Sequence, residues 1–520
     1  MPPADIESSR RSGKMIYCRF LFAVSVFAAL ARTATARMAD TLHRLELNSE
    51  TLRGYTDEAK QDHIQHLPGL ERMPAFRQFS GYLEVDREAG RNIFYWFTES
   101  EKDPMNAPVL FWTNGGPGCS GLLGFLTEQG PFRVNQDGSK LDMNPFAWNK
   151  EVNIFFVEQP AGVGFSYSED ASFYDGVGDT EAAEDNYRII VQFFKRFPQF
   201  KANQFFISSE SYGGHYMPML AKQIVDKQAS LSAPDEKINF QGLLVGNPYN
   251  NPDENILGMV ESFWGRQLMP KTLLDEWYKK CIVQTHVCPM WATSCKSGTR
   301  HDSDPQSLHE CEKLEELMKS AAGNLNPYGL DWPVCNDVVK RHGRNQRHLL
   351  LKLLGEARGQ KHDPDEAFKP CEEGYAMVYL NRADVQKAIH VRHTPTSAEK
   401  WGECANRHLL QYNETELSVD MSEYWKFLID GGYNLKLLIY SGDADSVCAT
   451  SGTQTWIYDL GYPKTAEWTS WEVDEQVAGY ITKFKGFTFL TVHNSGHEVP
   501  SYQPQVALEM LKRFLDNSLF

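Results

Sequence analysis

Five residues of this chain have the types that nucleophilic catalysis needs, and each lies just past an apolar run. Ser211 follows "QFFIS", Asp443 and Asp445 follow "LKLLIY", and His493 and His497 follow "FTFLTV". A serine hydroxyl is a weak nucleophile until a base takes its proton. The base in turn needs an acid partner to fix its tautomer and stabilise its charge. The chain supplies these types in the order Ser, Asp, His. Spacing does not choose between Asp443 and Asp445, or between His493 and His497.

Acyl chemistry also needs donors aimed at the negative charge of the tetrahedral intermediate. One is expected from the N–H after the nucleophile, that of Tyr212, and the other from a glycine-rich loop. "FWTNGGPGCSG" at 111–121 supplies such a loop, and it matches neither phosphate-binding glycine pattern. "HEVPS" at 497–501 has Ser501 where a zinc-protease motif needs a second histidine. No metal and no cofactor are therefore expected. Ser211 itself stands in "SSESYGG", where the usual G-x-S-x-G elbow has Ser209 in place of its first glycine. The end positions of an elbow must be small because strand and helix backbones approach closely there, so serine is the next mild choice.

These residues need strands to carry them. "SGYLEV" (80–85) and "IFYWFTES" (93–100) alternate as an opening antiparallel hairpin would. "APVLFW" (107–112) and "VNIFFVEQ" (152–159) are near-continuous apolar runs, as central strands covered on both faces require. Residues 178–199 have helical periodicity with Ile189, Phe193 and Phe194 on one face, and a helix carrying Met217, Leu220 and Ile224 follows Ser211. "LKLLIYSG" (435–442) and "FTFLTV" (487–492) read as two more buried strands, and "VALEMLKRFL" (506–515) as a closing helix. The expected fold is α/β, of the α/β-hydrolase kind: a mixed, mostly parallel sheet with helices on both faces. Core segments 37–248 and 372–520 flank an inserted, disulfide-rich cap at 249–371. Within the cap, the basic, leucine-rich stretch 340–361 is a candidate processing segment or a solvated amphipathic helix.

Composition agrees with an ordinary globular protein: 42% of the 520 residues are apolar and 23% charged. Residues 1–36 differ. Arg10, Arg11, Lys14 and Arg19 precede the apolar run "FLFAVSVFAAL" and the small residues "ATA", the order of a secretory signal. That run is too short for a membrane anchor, which needs about 20 residues. Without the leader 47 Lys/Arg face 66 Asp/Glu, a net charge of −19 with no basic stripe for nucleic acid. Nine cysteines remain, at 119, 281, 288, 295, 311, 335, 371, 404 and 448. In an oxidising compartment an odd count implies four bridges and one free thiol. "NET" at Asn413 is a glycosylation acceptor.

"WTNGGPGCSG", "ESYGGHY", "SGDADSVC" and "GHEVP" resemble the signature segments of the serine carboxypeptidases, from about residue 45 to the C terminus. "FVEQPAGVGFSYS" (156–168) and "YLNRADVQKAIHV" (379–391) resemble that family too. The resemblance implies Ser211 as nucleophile, Asp445 as acid and His497 as base, with Gly116 and Tyr212 as oxyanion donors. It implies a site for the substrate's terminal carboxylate made by Asn114, the Gly115 N–H and Glu210, with Glu128 hydrogen-bonded to Glu210. Two carboxyls so close disfavour each other's charge, which raises a pKa and leaves one protonated as a donor. Peptide binding is then expected to strengthen in mild acid.

Glu498 follows the base and borders the pocket for the leaving residue, where it would favour Lys or Arg or else remain a solvated carboxylate. The resemblance pairs Cys119 with Cys404 and Cys335 with Cys371. Of three ways to pair the remaining four, Cys281–Cys311 with Cys288–Cys295 is preferred, leaving Cys448 free. The implied activity is removal of C-terminal residues from peptides in the secretory pathway, by a secreted or vacuolar/lysosomal enzyme; a homodimer is left open. Rival readings are an acyltransferase, a hydroxynitrile lyase and a catalytically silent protective or binding protein.

Overall fold

A computed structural model describes residues 52–233, 237–281, 305–335, 368–392, 400–406, 410–413 and 415–519. The leader 1–36, the segment 340–361 and the pair Cys288 and Cys295 lie outside the described residues. The chain divides into units 1–60 and 61–520, and the second holds the sheet and the candidate site.

Ten strands form that sheet: β1 (Gln78–Asp86), β2 (Arg91–Thr98), β3 (Val109–Thr113), β4 (Asn153–Val157), β5 (Phe205–Glu210), β6 (Phe240–Gly246), β7 (Lys436–Gly442), β8 (Lys464–Val473), β9 (Gln476–Phe484) and β10 (Phe487–Val492). Their order is β1-β2-β4-β3-β5-β6-β7-β10-β9-β8. The six central strands, β4 to β10 in that order, run parallel, and antiparallel pairing closes each side. Every residue of β3, β4 and β5 is buried, which is why these stretches read as apolar-rich runs rather than alternations, with Ser208, Ser209 and Glu210 buried at the end of β5. The hairpin β8–β9 and strand β6 were not singled out from the sequence. β8 is largely exposed at the sheet edge and its pairing shifts register three times, so its side chains carry no clean two-residue pattern.

Helices cover the sheet. α1 (Asp179–Arg196) buries Ile189, Ile190, Phe193 and Phe194, and α2 (Gly213–Ser230) buries Met217, Leu220 and Ile224. At the far end of the chain Pro504–Leu515 buries Met510, Leu511 and Phe514. Full burial of each such side chain contributes about 1.5–3 kcal/mol, so these three helices are fixed to the sheet mainly by their apolar stripes.

Between β6 and β7 a separate apolar cluster forms. Helices α3 (Pro252–Gly265), α4 (Lys271–Lys280) and α5 (Pro305–Ala322) enclose Met259, Phe263, Trp277, Leu314 and Met318. The Cys281–Cys311 bond ties the end of α4 to α5.

Candidate active site

β5 ends at Glu210, α2 begins at Gly213, and Ser211 sits in the turn between them with φ of 59°. That left-handed backbone is unfavourable for a residue with a Cβ, and neighbouring groups hold it in place. The Ser211 N–H donates to the Gly246 carbonyl at 3.0 Å, and its own carbonyl accepts from Gly214 and Tyr249 at 2.9 and 2.8 Å. The turn lifts the Ser211 side chain out of the sheet to a partly exposed position. Ser209, the replaced glycine of the motif, is fully buried. A Cβ at Gly213 would lie 2.2 Å from the Ser209 hydroxyl, so the space the serine takes is the space that Gly213 leaves open.

Asp445 lies in the turn after β7 and His497 beyond β10, and the two meet at 2.7 Å through Oδ2 and Nδ1. Both are buried, and among the described residues the other ring nitrogen, Nε2, has no hydrogen-bond partner. Asp445 also accepts from the backbone N–H of Val447 at 2.8 Å and of Cys448 at 2.9 Å, and from Asn247 Nδ2 at 3.0 Å. Burial opposes the imidazolium, but the charge and hydrogen bond of Asp445 outweigh it, and with the nearby Glu498 and Glu128 they lift His497 to about 9. Asp443 and His493 also pair at 2.7 Å, nearer the strand ends, with His493 exposed.

Two positioning elements went unread in the sequence. Asn247, at φ of 37° after β6, holds the acid loop twice, since its Oδ1 accepts from Gly442 at 2.9 Å while its amide reaches Asp445. A polar residue just past a buried strand, in "LLVGNPY", was the available signal. The segment 327–330 clamps the same loops: Pro327 accepts from the Ser446 N–H and hydroxyl, the Leu330 N–H donates to Ala444, and Tyr328 accepts from the His497 N–H at 2.7 Å. The Tyr328 ring stands edge-on to the His497 ring, with centroids 5.1 Å apart.

The glycine loop after β3 lies directly against the elbow. A Cβ at Gly115 would meet the Tyr212 nitrogen at 2.5 Å and the Ser211 Cβ at 2.8 Å, so only glycine fits. Gly116 has φ of 116°, another conformation reserved for glycine. Among the described residues the N–H groups of Gly115 and Gly116 donate to no protein acceptor.

Beside the elbow two buried glutamates share one amide. Asn114 Nδ2 donates to Glu128 at 2.7 Å and to Glu210 at 2.8 Å, while its Oδ1 is fixed as an acceptor by Trp112 Nε1 and the Gly124 N–H. Both amide hydrogens are thereby used, and the two carboxyls also hydrogen-bond each other, which requires a proton on one of them. Burial raises the pKa of both, and the charges of Glu128 and Glu498 push Glu210 well above the usual carboxylate range. Glu498, half-buried next to the base, is pushed up to about 8 by burial and by Glu373 and Glu128, against the pull of His497.

Disulfides join Cys119 to Cys404, Cys281 to Cys311 and Cys335 to Cys371. Cys448 is free and buried. Its thiol interacts with the Ser211 hydroxyl, and burial followed by the Asp445 charge keeps it strongly protonated, so it is no rival nucleophile. Asn413 is half-buried, and its Oδ1 accepts from the Thr415 hydroxyl at 2.8 Å. Among the described residues no helix is long and apolar enough to cross a membrane.

A mostly parallel sheet with a strand–serine–helix turn, and an Asp–His pair past two neighbouring strands, defines an α/β-hydrolase. Comparison with known proteins narrows this. The serine carboxypeptidase family pattern matches residues 68–517, so the chain belongs to the serine carboxypeptidase family. It is 35% identical to serine carboxypeptidase-like 25 of Arabidopsis thaliana, over 89% of this chain and 93% of that protein. It is 36% identical to the lysosomal protective protein of Mus musculus, over 88% of this chain and 94% of that one. Among solved structures the fold matches the Kex1 prohormone-processing carboxypeptidase of Saccharomyces cerevisiae, with a TM-score of 0.69 and 21% identity over 88% of this chain and 96% of that chain.

Proposed function

We propose that this serine carboxypeptidase releases C-terminal amino acids from peptides through an acyl-enzyme on Ser211. His497 takes the Ser211 proton as the hydroxyl attacks the last peptide carbonyl, then gives it to the leaving amino group. Water activated by the same imidazole releases the shortened peptide. Asp445 holds His497 with Nε2 as the working nitrogen, and the N–H groups of Gly116 and Tyr212 receive the oxyanion. No metal or cofactor takes part.

The observation that carries the reading is the Glu128–Asn114–Glu210 arrangement beside the elbow. Because Asn114 spends both amide hydrogens on the glutamates, a terminal carboxylate must be met by a proton on that acid pair and by the Gly115 N–H. A protonated pair binds the carboxylate, and this binding is lost as pH rises through the raised glutamate pKa. A neutral His497 is needed for attack, and it is lost as pH falls. Glu498 and Glu128 lift His497 only while ionised, so protonating them in mild acid also frees the base. The result is a bell-shaped kcat/KM for peptides, favoured in mild acid.

Keeping Glu210 and Glu128 favours the peptidase over the acyltransferase reading, and an intact Ser–His–Asp set disfavours a silent protein. Glu498 lines the pocket of the leaving residue and favours Lys or Arg there. Three disulfides support passage through the secretory pathway, to a secreted or vacuolar/lysosomal destination, with residues 1–36 as its signal, 249–371 as a cap, and Asn413 as a glycan site. A fluorophosphonate label tests the nucleophile. Labelling confined to Ser211, with parallel loss of peptide hydrolysis, is expected; no labelling of folded protein favours the silent reading, and labelling without peptide hydrolysis favours the acyltransferase.

A further inference from the structure

Beside the elbow the chain buries another carboxylate that the reaction as described does not use. Asp179, in the first turn of α1, is 2% exposed. Its Oδ2 accepts from the Tyr212 hydroxyl at 3.0 Å and contacts His215 Nδ1 at 2.9 Å, and its Oδ1 accepts from the Tyr412 hydroxyl at 2.5 Å. The rings that surround it are close-packed: Tyr212 on His215 at 4.6 Å and on Tyr216 at 5.1 Å, and Tyr412 on Tyr212 at 5.8 Å. The Tyr216 hydroxyl accepts from the Gly118 N–H at 3.1 Å, in the loop that carries Gly116.

We propose that Asp179 is a positioning residue of the oxyanion hole, acting through the Tyr212 side chain on the Tyr212 N–H and, through Tyr216 and Gly118, on the glycine loop opposite. This rests on the assignment of Tyr212 and Gly116 as donors to the oxyanion. Tyr212 is the residue between the nucleophile and α2, and its N–H must point at a place occupied only in the tetrahedral state. The carbonyls of Ser211 and Tyr212 are each held by two backbone N–H groups, and the Tyr212 ring adds an anchor at its far end, to a carboxylate fixed on another helix. Tilting of the ring would turn the peptide plane of residue 212, and a donor swung out of line weakens steeply. Through Tyr412, which hydrogen-bonds Tyr216, the same carboxylate is linked to the facing loop at Gly118, so both donors are referred to one buried point. That arrangement suits a pair of N–H groups that must converge on a single oxygen.

The test uses the full chain with Tyr212→Phe, which removes only the anchoring hydroxyl and keeps the N–H, and with Asp179→Asn. Substrate is a peptide with a free C terminus, the transition-state probe a peptide aldehyde that forms a hemiacetal on Ser211, and the ground-state probe the product peptide. Expected for each variant is a fall in kcat of roughly tenfold, part of the 10²–10³ that follows loss of a whole donor. KM and product affinity should stay within about twofold, and aldehyde inhibition should weaken by the same factor as kcat. A purely structural role would lower stability or the active fraction without weakening the aldehyde selectively. If Asp179→Asn fails to fold, Tyr212→Phe decides. Wild-type kcat and aldehyde affinity in folded Tyr212→Phe would overturn the proposal. Ser211→Ala is measured alongside: retained peptidase activity there would instead overturn the assignment of the site itself.

Discussion

Three Asp–His pairs stand among the described residues, and their lengths barely differ. Asp445–His497 and Asp443–His493 are both 2.7 Å long, and Asp179–His215 is 2.9 Å. What separates them is surroundings. His493 lies open to water, where solvent can replace either partner and the pair contributes little. His215 is fully buried and packed against the rings of Tyr212 and Tyr249. Only Asp445–His497 combines burial, an acid held by two backbone N–H groups and an amide, and a place among loops shared with the elbow. The pair geometry is thus common, and surroundings rather than length set Asp445–His497 apart.

The largest effect should come from breaking the working pair. Asp445→Asn is expected to lower kcat by about four orders of magnitude, because an amide favours the wrong imidazole tautomer. The equivalent change in the exposed pair, Asp443→Asn, should leave kcat within about twofold. Steady-state kinetics on one peptide compares them directly, and similar losses in both would erase the distinction.

Next in size is the acid pair. Glu210→Gln supplies a donor that needs no proton, so the rise in peptide KM as pH climbs through the raised glutamate pKa should flatten. A KM profile from pH 4 to 9 reads this, and an unchanged alkaline rise would place the titrating group elsewhere.

Glu498→Gln should act more mildly. The ratio of kcat/KM for release of C-terminal Arg over Leu is expected to fall about fivefold, the scale of a partly exposed ion pair. Glu498 is already protonated in mild acid, so the Arg preference is read above about pH 8 and the acid limb of the profile should stay in place. Equal effects on Arg and Leu would show that this carboxyl does not face the leaving residue.

The smallest change is at the elbow. Ser209→Gly is expected to leave kcat intact and to alter stability by about 1 kcal/mol or less, since it adds backbone freedom and leaves only the small space beside Gly213 unfilled. Kinetics with thermal unfolding tests both halves, and loss of activity would give Ser209 a role of its own.

The same comparison explains what the sequence could and could not reveal. Apolar runs that lead toward Ser211, Asp445 and His497 were legible because buried parallel strands are predominantly apolar along their length, even where β5 carries Ser208, Ser209 and Glu210. The choice within each Asp and His pair was not legible from spacing for a physical reason. Residues 443 and 493 really do pair, two and four positions before 445 and 497, and only the later pair is buried. Family resemblance, rather than spacing, chose Asp445 and His497. Asn247 and Asp179 went unnoticed because each acts through a partner distant in sequence, 198 and 33 residues away, and neither sits in a pattern that local periodicity reports.

Mass spectrometry of two peptides that differ only at the C terminus, one a free carboxylate and one an amide, tests the central claim most directly. The account predicts stepwise loss of single residues from the free peptide, abolished in Ser211→Ala, with the amide nearly untouched. Equal cleavage of both peptides, cuts at internal bonds, or activity that survives Ser211→Ala would contradict it.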